Sequence, residues 1–228
     1  MQTRFLPREP STVGLVAHYK LWAGLTTAGK VFDYSLSGNA GTVTTAVPTY
    51  PGFLFVTGSQ IDCGSDSSID NIFDSGGTFA GWLRPTGVGQ GNEGRVFDKA
   101  EVRIYCDNSA TKLTFELATD TTDGKWTFPF DVTGDIWQHV VLVYDSDTAG
   151  AGGGPTVYVN GVPVVVTEVA APDDTRKTDA AFAMRLGKSS DPGGSWHGKI
   201  GDIMFFNIEK NGPAAKSIYE LTKWRHHG

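Results

Sequence analysis

Apolar residues recur at every second position through most of this chain, and hardly anywhere at the three-to-four spacing of a helix. Strand-like segments run over 13–21, 52–56, 60–63, 78–84, 95–99, 102–106 and 112–118. Others follow over 126–130, 138–144, 156–160, 162–168, 182–187 and 199–206. Turn signals such as Asp123-Gly124, Thr133-Gly134-Asp135 and Asp191-Pro192-Gly193-Gly194 separate them. A chain with so many short strands and no βαβ alternation closes by stacking two antiparallel sheets. The fold class that follows is all-β, a two-sheet jelly-roll sandwich.

Two local features sharpen this. Asn160-Gly161, between Val157-Tyr158-Val159 and Val162-Pro163-Val164, predicts a two-residue type I′ hairpin, in which both central residues take positive φ. Near the end, Asn211 supplies a cap, Pro213 suits a first turn, and Ile218, Leu221 and Trp224 share neighbouring faces of a short C-terminal helix over 214–224. At 228 residues, with 29 glycines, 11 prolines and no internal repeat, the chain suits a single turn-rich domain over 13–228 behind an N-terminal arm, 1–12. The stretch 149–155 reads as a flexible loop, too short for a domain linker.

A net charge of −6 argues against a nucleic-acid surface and against a polybasic membrane anchor. No apolar run approaches the roughly 20 residues of a membrane-spanning helix, and the first ten residues lack the apolar core of a secretory signal. The expected locations are a virion, reached by assembly inside a host cell, or the extracellular space as part of a larger secreted protein. Cys63 and Cys106 read as two free, partly buried thiols, with a single disulfide as the alternative.

Several segments, in order, resemble the laminin-G-like, or concanavalin-A-like, β-sandwich family. They are Leu15-Val16-Ala17-His18-Tyr19, the loop Asp33-Tyr34-Ser35-Leu36-Ser37-Gly38-Asn39-Ala40-Gly41, and Phe79-Ala80-Gly81-Trp82-Leu83-Arg84-Pro85. Trp137-Gln138-His139-Val140 running to Tyr144-Asp145, the hairpin at Asn160-Gly161, and the closing strand from Gly198 to Asn207 continue the series. The ending Tyr219–Arg225 is similar to endings of phage-borne members.

The resemblance implies a calcium ion tying the early loop to the closing strand. Carried over residue by residue, its ligands are Asp33 and Asp202, with backbone carbonyls of Gly38 and Asn39 completing an oxygen shell. Gly201 stands where relatives often carry another acid. The plainer alternative gives Asp33 an Asx-turn and leaves Asp202 on a solvated strand face. For glycans, the candidate contacts are Trp196 and His197 before the closing strand, and Trp126; core packing is the alternative for both tryptophans, and the reading adopted for Trp82 and Trp137.

Catalytic signatures are weak. His139 lies among apolar strand residues with no nucleophile motif and reads as a packed, hydrogen-bonded histidine. Gly89–Gly94 matches G-x-G-x-x-G but joins two strands, so it reads as a hairpin connection. Asp145 with Asp147 reads as a solvated strand exit, and His226-His227 as a disordered tail. Glu93, Glu101, Glu116 and Glu168 lack the strand-spaced acidic partner that glycan hydrolysis requires.

The sequence therefore predicts a non-enzymatic binding or structural module. One form is a virus-particle surface protein, a capsid decoration or adhesin that contacts other virion proteins and forms a homo-oligomer such as a trimer. The other is a carbohydrate-binding domain whose partners are glycans.

Overall fold

The computed structural model describes residues 9–146, 154–173 and 175–226. In chain order the strands are β1 (Leu15–Lys20), β2 (Lys30–Val31), β3 (Gly41–Thr44), β4 (Val47–Thr49), β5 (Gly52–Phe55) and β6 (Gln60–Asp62). Then come β7 (Gly77–Gly87), β8 (Arg95–Asp98), β9 (Val102–Tyr105), β10 (Lys112–Leu117), β11 (Gly124–Pro129) and β12 (Gln138–Tyr144). The last five are β13 (Thr156–Val159), β14 (Val162–Val164), β15 (Thr167–Ala170), β16 (Arg185–Leu186) and β17 (His197–Phe206), followed by α1 (Gly212–Thr222).

Two antiparallel sheets form the sandwich. The first runs β14-β13-β12-β7-β17-β5-β4, with β1 added against β17; the second runs β15-β11-β10-β9-β8-β16-β6-β3-β2. Alternation along each strand sends Phe53, Phe79, Phe97, Phe115, Leu142 and Phe205 into the space between them. A smaller apolar cluster forms on the outer face of the first sheet, where Val141, Met204 and Phe206 meet Ala215 and Ile218 of α1. That sheet is therefore covered on both sides over part of its area.

The Asn160-Gly161 hairpin has φ of 52° and 76°, as a type I′ turn requires. Asn211 caps α1 by accepting a 3.0 Å bond from the Ala214 N–H. Cys63 and Cys106 are free and buried, and burial pushes each thiol up to about 12.

Four expectations need correction. The segment 162–168 is not one strand: β14 ends the first sheet, β15 edges the second, and the exposed Val165 marks the crossing. The segment 182–187 shrinks to β16, a two-residue strand bridging β6 and β8. Gly89–Gly94 carries the chain from β7 in one sheet to β8 in the other, so it is a crossover and not a hairpin. Trp137 is only half-buried, its ring tilted against His226 at 4.7 Å. The stretch 147–153, which holds Asp147 and most of the glycine-rich loop, lies outside the described residues, as does His227.

Candidate functional site

The site grows from the pairing of β1 with β17, which sets His18 opposite Met204 and Lys20 opposite Asp202. Tyr19 points into the core, so its neighbours His18 and Lys20 point outward, on the face that also carries Asp202, Met204 and Phe206.

Asp33 sits behind this face and is 2% exposed. Its Oδ1 accepts the backbone N–H groups of His18 and Ser35, and its Oδ2 accepts the Ser35 hydroxyl and the Asn39 N–H, each at 2.8 Å. Those four donors fill the roughly four acceptor positions of a carboxylate. The loop is thus an Asx-type turn, closed by Gly38 at φ 79° and by the Asn39 amide reaching Ser68 Oγ at 2.9 Å. Replacing Asp33 with alanine orphans these donors; we expect a loss of about 2–3 kcal/mol in denaturant unfolding, with faster amide exchange over 33–39.

Asp202 is equally buried but belongs to another network. Oδ1 accepts the Trp22 indole N–H and Oδ2 the Arg225 guanidinium, both at 2.8 Å. The Nε2 atoms of His18 and His226 lie 3.9 Å away. Burial opposes its charge, yet His18, His226 and Arg225 together hold the carboxyl well below the usual range.

These residues do not fit a calcium ion. Asp33 meets the backbone N–H of His18, Asp202 faces the imidazole of the same residue, and each carboxylate already holds its donors. The Asn39 carbonyl accepts the Tyr19 hydroxyl at 2.8 Å, and the Gly38 carbonyl accepts the Ala40 N–H. Among the described residues no group of three or more His, Cys, Asp or Glu could hold a metal. Asp202 is also not on a solvated face, because the C-terminal segment covers it.

Trp82 stacks on His226 (centroids 4.6 Å apart, 20° between planes) and on Tyr219 (5.7 Å, 28°), and its N–H donates to Thr222 Oγ1 at 2.8 Å. His226 is buried and ordered against the sheet, contrary to the expected loose tail. A Cβ at Gly201 would approach the His226 ring to 2.4 Å, which explains why no acidic side chain stands there. His139 is packed beneath the same cover with its Nδ1 unbonded, and burial pulls its pKa down to about 3.

The surface above this buried layer carries exposed rings. Phe32 (53% exposed) and Tyr34 (42%) form an edge-to-face pair with centroids 4.9 Å apart. The Lys20 ammonium lies 4.9 Å from the Tyr34 centroid and 3.2 Å from Glu9. Beside them opens a cavity of about 120 Å³, lined by His18, Lys20, Tyr34, Leu15, Met204 and Phe206 together with Glu9–Thr12 of the N-terminal arm. Farther along, the Arg225 guanidinium lies 4.8 Å from the centroid of the exposed Trp224 and 4.7 Å from that of the half-buried Trp22.

The predicted glycan contacts fare differently. Trp126 (1% exposed) and Trp196 (0%) are core residues with no face open to a ligand. His197 is half-buried, its Nε2 3.1 Å from Thr57 Oγ1. Phe32 and Tyr34 were not among the residues the sequence singled out; alternation turns them outward only given that Asp33 points inward, which the structure shows. A larger cleft of about 410 Å³ lies between Asp74, Thr119, Tyr144 and Arg176, but its aromatic residues are buried.

Glu116 is tied up by the Arg103 guanidinium and by the Tyr105 hydroxyl, at 2.6 Å from the latter. It is not poised as an acid or base.

A family model described as the concanavalin A-like lectin/glucanases superfamily matches residues 57–213, and the chain belongs to that family. No curated protein matches the sequence. Among solved structures, the chain is similar to the binding domain of paraclostridial mosquitocidal protein 1, with a TM-score of 0.66 and 12% identity over 90% of this chain and 52% of that one. It is also similar to the binding domain of botulinum neurotoxin DC. In complex with rat synaptotagmin II, that domain gives a TM-score of 0.63 and 13% identity over 92% and 52%. In complex with SialylT it gives 0.60 and 12% over the same shares. The chain thus spans about half the length of these structures, and at such identities the likeness concerns the fold.

Proposed function

We propose that this chain is a non-enzymatic recognition module that binds carbohydrate on the surface formed by Phe32, Tyr34, Lys20 and Glu9. The observation carrying this reading is the solvent-exposed Phe32–Tyr34 pair beside a cavity that mixes apolar walls with His18 and Lys20. Flat apolar faces next to hydrogen-bonding groups match a sugar, which has one C–H face and an equatorial rim of hydroxyls. The family and the binding-domain neighbours support a binding role, and the engaged Glu116 is in keeping with a module that does no hydrolysis.

A glycan array read in calcium and again in chelator tests the reading. We expect hits unchanged by chelator, because Asp33 and Asp202 already have their partners. Tyr34→Ala should weaken the best hit roughly tenfold, a stacking contribution of about 1.4 kcal/mol. An empty array, or affinity indifferent to both Phe32→Ala and Tyr34→Ala, would sink the proposal. Placement on a virion surface, as a capsid decoration or adhesin, is our proposed setting, supported by the Tyr219–Arg225 ending. Light scattering that reports a trimer would favour it.

A further inference from the structure

The cleft of about 410 Å³ lies where β12 of the first sheet and β10 of the second both end, so it opens between the two layers. Its size falls within the roughly 300–1,000 Å³ of small-ligand sites. The stretch after β15 closes one side and is fixed by backbone pairing. Thr119 bridges to Arg176 and Thr122 to Asp173, with the Asp173 N–H donating to the Thr122 carbonyl at 3.0 Å.

One polar group lining this cleft has no partner. Tyr144 is 3% exposed, its ring packed against Phe73, Phe115 and Trp126. Its hydroxyl makes no hydrogen bond among the described residues, yet it is not one of the side-chain atoms sealed from solvent. The surface it keeps belongs to the cleft. Burial, with the Asp145 charge adding to it, pushes the Tyr144 pKa up to about 12, so the group stays a neutral hydroxyl able to accept. Thr119, also in the lining, donates its hydroxyl to the Thr122 carbonyl at 2.6 Å, which leaves its oxygen only accepting capacity.

Charge narrows the choice of ligand. Arg176 is the one cation in the lining, and both its terminal nitrogens are taken, by Asp74 and by Asp179. Asp179 also holds Lys99, which pairs in turn with Asp70. This network sets two cations, Arg176 and Lys99, against three carboxylates. Asp173, exposed in the lining, adds a fourth carboxylate, and among the described residues no cation pairs with it. An anion would meet this excess negative charge, whereas a cation with several donors would be drawn to it. Phe73, Leu117 and Pro172 supply apolar wall beside these acceptors.

We propose that this cleft binds a primary ammonium on a short aliphatic stem, the group carried by a lysine side chain or by a free diamine. The ammonium donates to the Tyr144 hydroxyl, the Asp173 carboxylate and Thr119 Oγ1, and the stem lies along Leu117 and Pro172. The site shares no residue with the carbohydrate surface and does not depend on that reading.

Amide NMR on the whole chain tests this by titration with 1,5-diaminopentane and with Nα-acetyl-lysine amide. Their neutral counterparts, 1-pentanol and the Nε-acetylated lysine amide, serve as controls. At least one amine should give saturable shifts centred on 117–119 and 173–176, with affinity roughly tenfold above that of its neutral counterpart. Added salt should weaken it. Tyr144→Phe keeps the ring and removes the acceptor, and should weaken the amine roughly three- to tenfold. Because Tyr144 is buried, Asp173→Asn supplies a second variant on an exposed side chain, with a loss of similar size expected. Tighter binding of the lysine amide assigns the site to a partner polypeptide, and tighter binding of the diamine to a free polyamine. Equal responses to amines and neutral counterparts, the absence of saturable shifts, or an affinity that neither substitution changes overturns the proposal.

Discussion

Asp202→Ala should destabilise the chain by about 3–5 kcal/mol, as removal of one partner from a buried ion pair does, lowering Tm by roughly 6–20 °C at this chain length. The substitution strands the Arg225 guanidinium, whose side chain is 3% exposed, and frees the Trp22 indole N–H. Differential scanning calorimetry at neutral pH reads the loss; a change within 1 kcal/mol would mean that the cluster does not hold the C-terminal segment.

The pH dependence follows from the direction of the same shift. The carboxyl stays ionised in the folded chain to lower pH than in the unfolded chain, where it titrates near 3.8. Its stabilisation is therefore complete above about pH 4 and drains away as the pH falls toward the depressed folded value. His139 adds an earlier decline. Folded, it takes up its proton only near 3; unfolded, it does so near 6.5, so acid begins to favour the unfolded chain below about 6.5. Stability measured from pH 7 downward should fall in two stages, the second of them missing in Asp202→Ala.

Trp82→Ala should be comparably damaging, at about 3–5 kcal/mol for a fully buried tryptophan. The ring is the floor on which Tyr219 and His226 stack, and its N–H fastens Thr222. Hydrogen exchange in the variant should show α1 opening independently of the sandwich. Trp82→Phe keeps a stacking surface and gives up only the hydrogen bond, a loss of about 1 kcal/mol plus some packing. If both substitutions proved equally mild, α1 would not depend on this anchor.

Most of the sandwich was legible because period two is a property of the chain itself. The strand over 138–144, the Asn160-Gly161 turn and the Asn211 cap were all readable from local chemistry. The short strands β2 and β16 were not, since two residues carry no period, and the run 162–168 hid a change of sheet because Val165 and Val166 look like more strand. For the site, alternation tells which residues share a face but not what later covers it. Trp126 and Trp196 resembled surface rings in their glycine-rich surroundings yet fill the core, and Asp202 lies under a C-terminal segment that touches it across more than twenty residues. Asp33 was legible as a loop organiser, but the two aromatic residues beside it gained meaning only once its side chain was seen to point inward.

The strand β17 lies between β7 on one side and β1 and β5 on the other, and its Asp202 meets Trp22 across 180 positions of sequence. A nascent chain therefore carries β1, with its edge toward β17 unsatisfied, until β17 has left the ribosome. Such long-range closure is entropically slow and leaves half-made molecules prone to sticking together, so chaperones should matter more for producing this protein than for keeping it folded.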